Sequence, residues 1–245
     1  MHGSDINMHA TFPERAQQIV SMAKQAKGIL SVSQDLANKM VDMGINKDKI
    51  HVIYNGVNLE KFIPQKSVNE SPYLVFVGNL KQDKGVVELL HAFIQIHTQF
   101  PHLQLKYIGS GNMAPQLQNI INEHQLQDKV KLEGVKRHDE LPIIIANATL
   151  LVLPSYNEGV PNVVLEAMAC ATPVVVTNVG GIPEVVTPAT GIIANEITAN
   201  CISQCLIQAL EKNWDHQAIR AHAELFSWTK NTDELTSMMH LKEKN

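Results

Sequence analysis

Glu158 and Glu166 stand eight positions apart in EGVPNVVLEAMACA, where a Gly- and Pro-containing loop runs into an apolar stretch. Pro161 suits the first turn of a helix. That places Glu158 at a loop tip and Glu166 in the N-terminal half of the helix. A carboxylate in that position can accept two neighbouring hydroxyls, such as the 2′- and 3′-OH of a ribose. One in the loop can hold a sugar hydroxyl. Between them, the free N–H groups of Asn162 and Val163 can face a phosphate. The same pattern also fits a polar loop and a helix with one exposed acid.

Other loops carry weaker signals. In GNLKQDKG, Lys84 sits just before a predicted helix, where its charge adds to the helix dipole and suits a phosphate; a solvated lysine is the alternative. The GSG at 109–111 permits close approach of a ligand or forms a plain turn. It is not a dinucleotide fingerprint, because Ala114 stands where GxGxxG needs its third glycine. In TNVGGIPEVV, Glu184 reads as a helix cap. The eleven histidines make neither HxH nor HExxH, so no metal site is expected.

The elements that must position these residues are legible from periodicity. Residues 14–27 suit a helix, and Ser33 caps a second one, with Leu36, Met40 and Met43 on one face and Gly44 as its stop. Residues 50–57 read as a short strand ending in an Asn-Gly turn. From residue 73 onward, short apolar strands alternate with amphipathic helices. They give strands at 73–78, 103–109, 129–134, 150–155 and 172–177 and a short last one in TGIIAN, followed by two or three closing helices with a cap at Ser227. Such alternation predicts an α/β fold with a parallel sheet covered on both faces, whose ligands sit beyond the carboxyl ends of the strands.

Composition agrees with an ordinary globular chain of 245 residues, 44% hydrophobic and 18% charged, with a net charge of −4. No basic field points to nucleic acid. Cys170, Cys201 and Cys205 form no CxxC and read as buried free thiols of a reducing compartment. No stretch has the apolar length of a membrane span.

The stretch EGVPNVVLEAMACATPVVVTNVGGIPEVV resembles the retaining glycosyltransferases of family 4, which have the GT-B fold. Their mark is two glutamates with seven residues between them, followed by GG-x-PE. VSQDLANKMVDMGINKDKIHVIYNGVNLEKF, VFVGNLKQDKGVVELLHAF, YIGSGNM, VKLEGVKRHDELPIIIANATLLVLPSYNEG and FSWTKNTDEL resemble the family's other segments, in order. The resemblance implies retaining transfer of a sugar from a nucleotide-sugar to a saccharide or lipid-linked acceptor, with no cofactor and no metal. It implies Lys84, Glu158 and His2 as catalytic residues. Donor binding falls to Asn79, Lys84, Gly109, Gly111, Val135, Lys136, Glu158, Gly159, Val160, Pro161, Asn162, Val163 and Glu166. Gly134 to Lys136 would line the base through backbone groups, Glu166 would hold the ribose, and Lys84 would clamp the diphosphate. The family usually has an arginine where this chain has Asn79, which brings no charge; Lys84 acts alone or with Lys81.

The resemblance also sets the expected domains. Residues 1–64 correspond to the final part of an N-terminal Rossmann-like domain. A linker covers 65–72, a complete nucleotide-sugar-binding Rossmann-like domain 73–212, and helices crossing back 213–245. The sequence therefore reads as N-terminally truncated, cytoplasmic, with peripheral membrane association through the domain it lacks. A non-catalytic nucleotide-sugar-binding fragment is the competing reading. A Rossmann oxidoreductase is set aside with the missing GxGxxG.

Overall fold

The computed structural model describes residues 6, 12–65 and 71–243. His2 lies outside them, as does most of the expected linker.

The main body is one six-stranded parallel sheet. Its strands are β3 (Tyr73–Val77), β4 (Gln104–Ile108), β5 (Val130–Leu132), β6 (Leu150–Leu153), β7 (Val174–Thr177) and β8 (Gly191–Ala194). All four residues of β6 and of β7 are buried, as expected of strands covered on both faces. The strand order is β5-β4-β3-β6-β7-β8. The chain therefore builds outward from β3 in one direction, then returns to β6 beside β3 and builds the other way. Loops after β3 and β6 leave the sheet in opposite senses and open a crevice between them.

The covering helices carry the expected inward faces. In α3 (Val86–Ile96), Val86, Leu89, Leu90, Phe93 and Ile96 are buried. In α4 (Ala114–Glu123), the buried residues are Leu117, Ile120 and Ile121. The other helices of this body are α5 (Leu141–Asn147), α6 (Asn162–Ala169), the one-turn α7 (Ile182–Val185), α8 (Ala199–Glu211) and α9 (His216–Ala223). The last helix, α10 (Trp228–Glu243), starts at the expected cap, where Ser227 Oγ accepts from Lys230 N at 3.2 Å.

Before the sheet comes a smaller unit of α1 (Pro13–Gln25), β1 (Ile29–Ser31), α2 (Gln34–Asp42) and β2 (Ile50–Val52). Strands β1 and β2 pair in parallel. Ser33 caps α2 by accepting from Leu36 N at 3.1 Å, and Gly44 follows with φ +88°. The sequence did not single out β1, whose three residues are too short to show alternation. This unit has its own core of Ile6, Ala23, Ile29, Leu36, Met40 and Ile45. Val57 and Phe62 already belong to the larger core. The change of core thus falls upstream of the boundary drawn at 64/65, because apolar packing follows side chains while the polar stretch marks only the connector.

The strand expected over 50–57 stops at Val52, and Asn55-Gly56 does not close a hairpin. Val57 instead forms a parallel bridge with Ser227, and its N–H donates to Phe226 O at 2.8 Å. A Cβ on Gly56 would lie 2.6 Å from the Trp228 ring, so this glycine admits the start of α10. The last helix is tied to the segment after β2 there, and Asn231 Nδ2 donates to Tyr54 O.

Candidate donor site at the sheet crevice

Lys84 ends the loop after β3, and Glu158 lies in the loop after β6. The strand order makes these loops neighbours, and the two side chains meet with Lys84 Nζ 2.6 Å from Glu158 Oε1. The side chains are only 23% and 12% exposed, so the pair is shielded from solvent screening. Ser155 Oγ donates to the same Oε1 at 2.7 Å. Ser155 is itself fully buried, and its carbonyl accepts from Thr177 Oγ1 at 2.5 Å. Two strand ends thus brace one carboxylate beside one cation.

Helix α6 begins directly after this loop, with Pro161 in the N-cap position. The N–H groups of Asn162 and Val163 lie in its first turn and have no intrahelical acceptor. One turn on, Glu166 Oε1 lies 3.4 Å from His138 Nε2, and His138 Nδ1 lies 2.5 Å from Lys61 Nζ. Burial pushes the Glu166 carboxyl above the usual glutamate range, opposed by His138 and Lys61. This charge is held partly desolvated, a state that hydroxyl donors from a ligand would relieve.

The remaining expected donor residues surround this centre to different degrees. Gly134 has φ +69° with open space where a Cβ would be, and Val135 is 73% exposed, so the backbone of 134–136 is accessible. Lys136 pairs with Glu133 at 3.0 Å. Asn79 is exposed, and its carbonyl accepts from Lys81 N. Lys81 lines a cavity of about 670 Å³ with Gln82, Asp83, Asn112 and Tyr156. Gly109 and Gly111 serve chain packing: a Cβ on either would collide with the carbonyl oxygen of Gly78 or Leu80. Their loop is stitched to the Lys84 loop by Leu80 N donating to Ser110 O at 2.9 Å. Gly159 is tied to the next loop through Gly181 N, and Val160 O accepts from Asn55 Nδ2 at 3.0 Å.

Glu184 caps a helix, but not its own. Its carboxylate accepts from Gln34 N at 2.7 Å and Asp35 N at 2.9 Å, at the start of α2, and from Tyr54 OH at 3.0 Å. The anion meets the positive end of α2 and joins the small unit to the sheet body. Burial, then the Glu184 hydrogen bond, push the Tyr54 phenol up to about 12. Glu184→Ala is expected to cost about 1–3 kcal/mol of stability, as a lost cap with charged hydrogen bonds should. It should also bring the Tyr54 pKa down, which tyrosinate absorbance against pH would read. An unchanged Tyr54 titration would show that burial alone sets it.

A sequence profile described as glycosyl transferases group 1 matches residues 58–225, well over half of the chain. The chain belongs to the glycosyl transferases group 1 family. A second profile, Glycosyltransferase Family 4, matches residues 2–61. Among relatives of this chain, the amylovoran biosynthesis glycosyltransferase AmsK of Erwinia amylovora is 29% identical over 216 residues, covering 84% of this chain and 53% of AmsK. The N-acetyl-alpha-D-glucosaminyl L-malate synthase of Bacillus anthracis is 27% identical over 195 residues, covering 76% of this chain and 50% of the synthase. The chain spans about half the length of the curated relatives it matches. Among solved structures, Anabaena HepE in complex with UDP and glucose aligns with a TM-score of 0.85 at 21% identity, covering 98% of this chain and 70% of HepE. The fold of this chain is of GT-B type.

Among the described residues, no helix of this chain is long and apolar enough to cross a membrane. Of its free thiols, Cys170 and Cys205 are buried and Cys201 is partly so. Burial pushes Cys170 up to about 12 and Cys205 up to about 11, leaving both as thiols at neutral pH. Sequence reasoning missed Ser155, Thr177, Lys61 and His138. Nothing in their spacing marks them, since each reaches the site from a different strand end or loop.

Proposed function

We propose that this chain carries the nucleotide-sugar side of a retaining glycosyltransferase that works without a metal. The observation that carries the reading is the meeting of Lys84 and Glu158 at the crevice where the strand order reverses, directly before the open N-terminus of α6. In this reading the diphosphate lies over the first turn of α6, and Lys84 turns to it as the bond to the anomeric carbon breaks. A cation fixed in a partly dry site stabilises the leaving group's growing charge. The acceptor oxygen arrives on the face that the diphosphate leaves, and its proton passes to the departing phosphate. Glu158 holds a hydroxyl of the donor sugar. Glu166 grips the ribose hydroxyls, and the backbone of 134–136 lies along the base. Asn79 supports the phosphates without charge.

HepE was crystallised with UDP and glucose, which supports a nucleotide-sugar donor for this chain, and AmsK, named for amylovoran biosynthesis, supports a saccharide acceptor. A cytoplasmic place, where nucleotide-sugars are made, fits the same reading. The first experiment is a thermal-shift panel of UDP, GDP and ADP with their common sugar conjugates on the 245-residue chain. A specific ligand at about a hundred times its Kd should add about 2.7 kcal/mol of stability. A folded sample that responds to none of them would sink the reading.

Glu166 gives a sharper prediction with a sign. Its carboxyl has a folded pKa above the unfolded one, so its contribution to stability is full below the unfolded pKa. That contribution is lost as pH rises through the folded pKa. Ligand hydroxyls favour the ionised form, so nucleotide affinity should fall as pH drops through that raised pKa. Glu166→Gln should weaken binding at neutral pH and flatten the acid limb relative to wild type in calorimetric titrations. A variant that binds as tightly as wild type with the same pH profile would remove the ribose assignment.

A further inference from the structure

We infer that Ser155 is a positioning residue for Glu158, holding the carboxylate in place when Lys84 turns to the donor's diphosphate. The inference rests on the donor-site reading above. Glu158 Oε1 receives two donors, Lys84 Nζ at 2.6 Å and Ser155 Oγ at 2.7 Å. A diphosphate carries more negative charge than one carboxylate and competes for the lysine. Each N–H that Lys84 gives to phosphate is drawn from the grip on Glu158. A largely buried carboxylate left without donors pays its desolvation in full. Ser155 supplies the donor that stays.

The serine is built to stay. It is fully buried at the end of β6, so its rotamer is confined by packing. Its own carbonyl is tied to β7 by Thr177 Oγ1 at 2.5 Å. Its hydroxyl is neutral, and phosphate does not draw it away as it draws an ammonium. Among the described residues, Glu158 Oε2 has no hydrogen bond, and that oxygen remains for a sugar hydroxyl. Ser155 therefore fixes Oε1 so that Oε2 faces the sugar in one orientation throughout the reaction.

The test separates sugar from nucleotide. Ser155→Ala removes the hydroxyl and adds no bulk, while Ser155→Cys replaces the O–H with a slightly larger, weakly donating S–H. Isothermal titration of the 245-residue chain with UDP against UDP-glucose, GDP against GDP-mannose, and ADP against ADP-glucose reads the two halves of the donor. With the pair that binds wild type, both variants should bind the nucleoside diphosphate within about twofold of wild type. They should bind the nucleotide-sugar about tenfold more weakly, the scale of one hydrogen bond to a charged group. Unchanged nucleotide-sugar affinity in both variants would overturn the inference while leaving the donor site standing. An equal loss for diphosphate and nucleotide-sugar would also overturn it, because it would mean that Ser155 merely supports the loop. If wild type binds none of the three nucleotide pairs, the donor-site reading fails and this inference falls with it.

Discussion

Lys84→Ala is expected to lower nucleoside diphosphate affinity by about a hundredfold or more and to leave nucleoside affinity within about threefold. The asymmetry follows from the contact. In the proposed donor site a diphosphate would meet the ammonium in a partly dry crevice, where removing one partner of a close charge pair costs about 2–5 kcal/mol. A nucleoside presents nothing to that ammonium. The same substitution should destabilise the unliganded chain, because it strands Glu158, whose side chain is 12% exposed, with only Ser155 as donor. The double variant Lys84→Ala/Glu158→Gln should recover much of that stability while recovering no diphosphate affinity. Calorimetric titration with UDP and uridine, alongside thermal melts of the three proteins, measures both effects. An equal loss of UDP and uridine would show that Lys84 supports the loop and does not clamp phosphate.

Arg220→Ala is expected to produce the largest loss of stability. The guanidinium donates to three main-chain carbonyls from two segments of the chain. They are Phe62 O at 2.6 Å, Ala169 O at 2.5 Å and Leu59 O at 3.0 Å. The Arg220 side chain is 20% exposed. Each charged hydrogen bond contributes about 1.5–3 kcal/mol, and the three do not add in full, so a loss of about 3–5 kcal/mol is expected. That corresponds to a fall in Tm of about 10 °C for a chain of this size. Arg220→Lys should not restore it, since a single ammonium cannot fork to three acceptors fixed in different directions. A melt followed by circular dichroism decides this, and recovery by lysine would show that charge alone matters. The effect should also reach the site. Ala169 ends α6, which carries Glu166, while Leu59 and Phe62 flank Lys61, which reaches Glu166 through His138. Loosening this joint should therefore weaken nucleotide binding as well.

Both predictions turn on contacts of different legibility. The strands and helices of the main sheet could be read directly, because buried strands must be short and apolar and the helices show period 3.6. Leu117, Ile120 and Ile121 point inward as their spacing requires. Ser33 and Ser227 cap the helices that follow them because a cap is a local bond. Asn-Gly at 55–56 misled for the opposite reason. It is a common turn pair, yet here its glycine makes room for Trp228 from the far end of the chain. Glu184 likewise looked like a cap for its own short helix, and it caps α2 about 150 residues away.

By itself the sequence determined the α/β class, the parallel sheet, and the spacing that puts Glu158 in a loop and Glu166 in the helix after it. These follow from local periodicity and from the fixed geometry of a short segment. Only the tertiary structure decided what each acid faces. Glu158 meets Lys84 because the strand order sets β3 beside β6, Ser155 meets it from the end of β6, and Glu166 meets His138 and Lys61 across separate loops. Gly109 and Gly111 bring two loops together, a use that their spacing does not distinguish from ligand approach. Contacts between distant segments depend on strand order and on how the core closes, and neither is written in the spacing of any one motif.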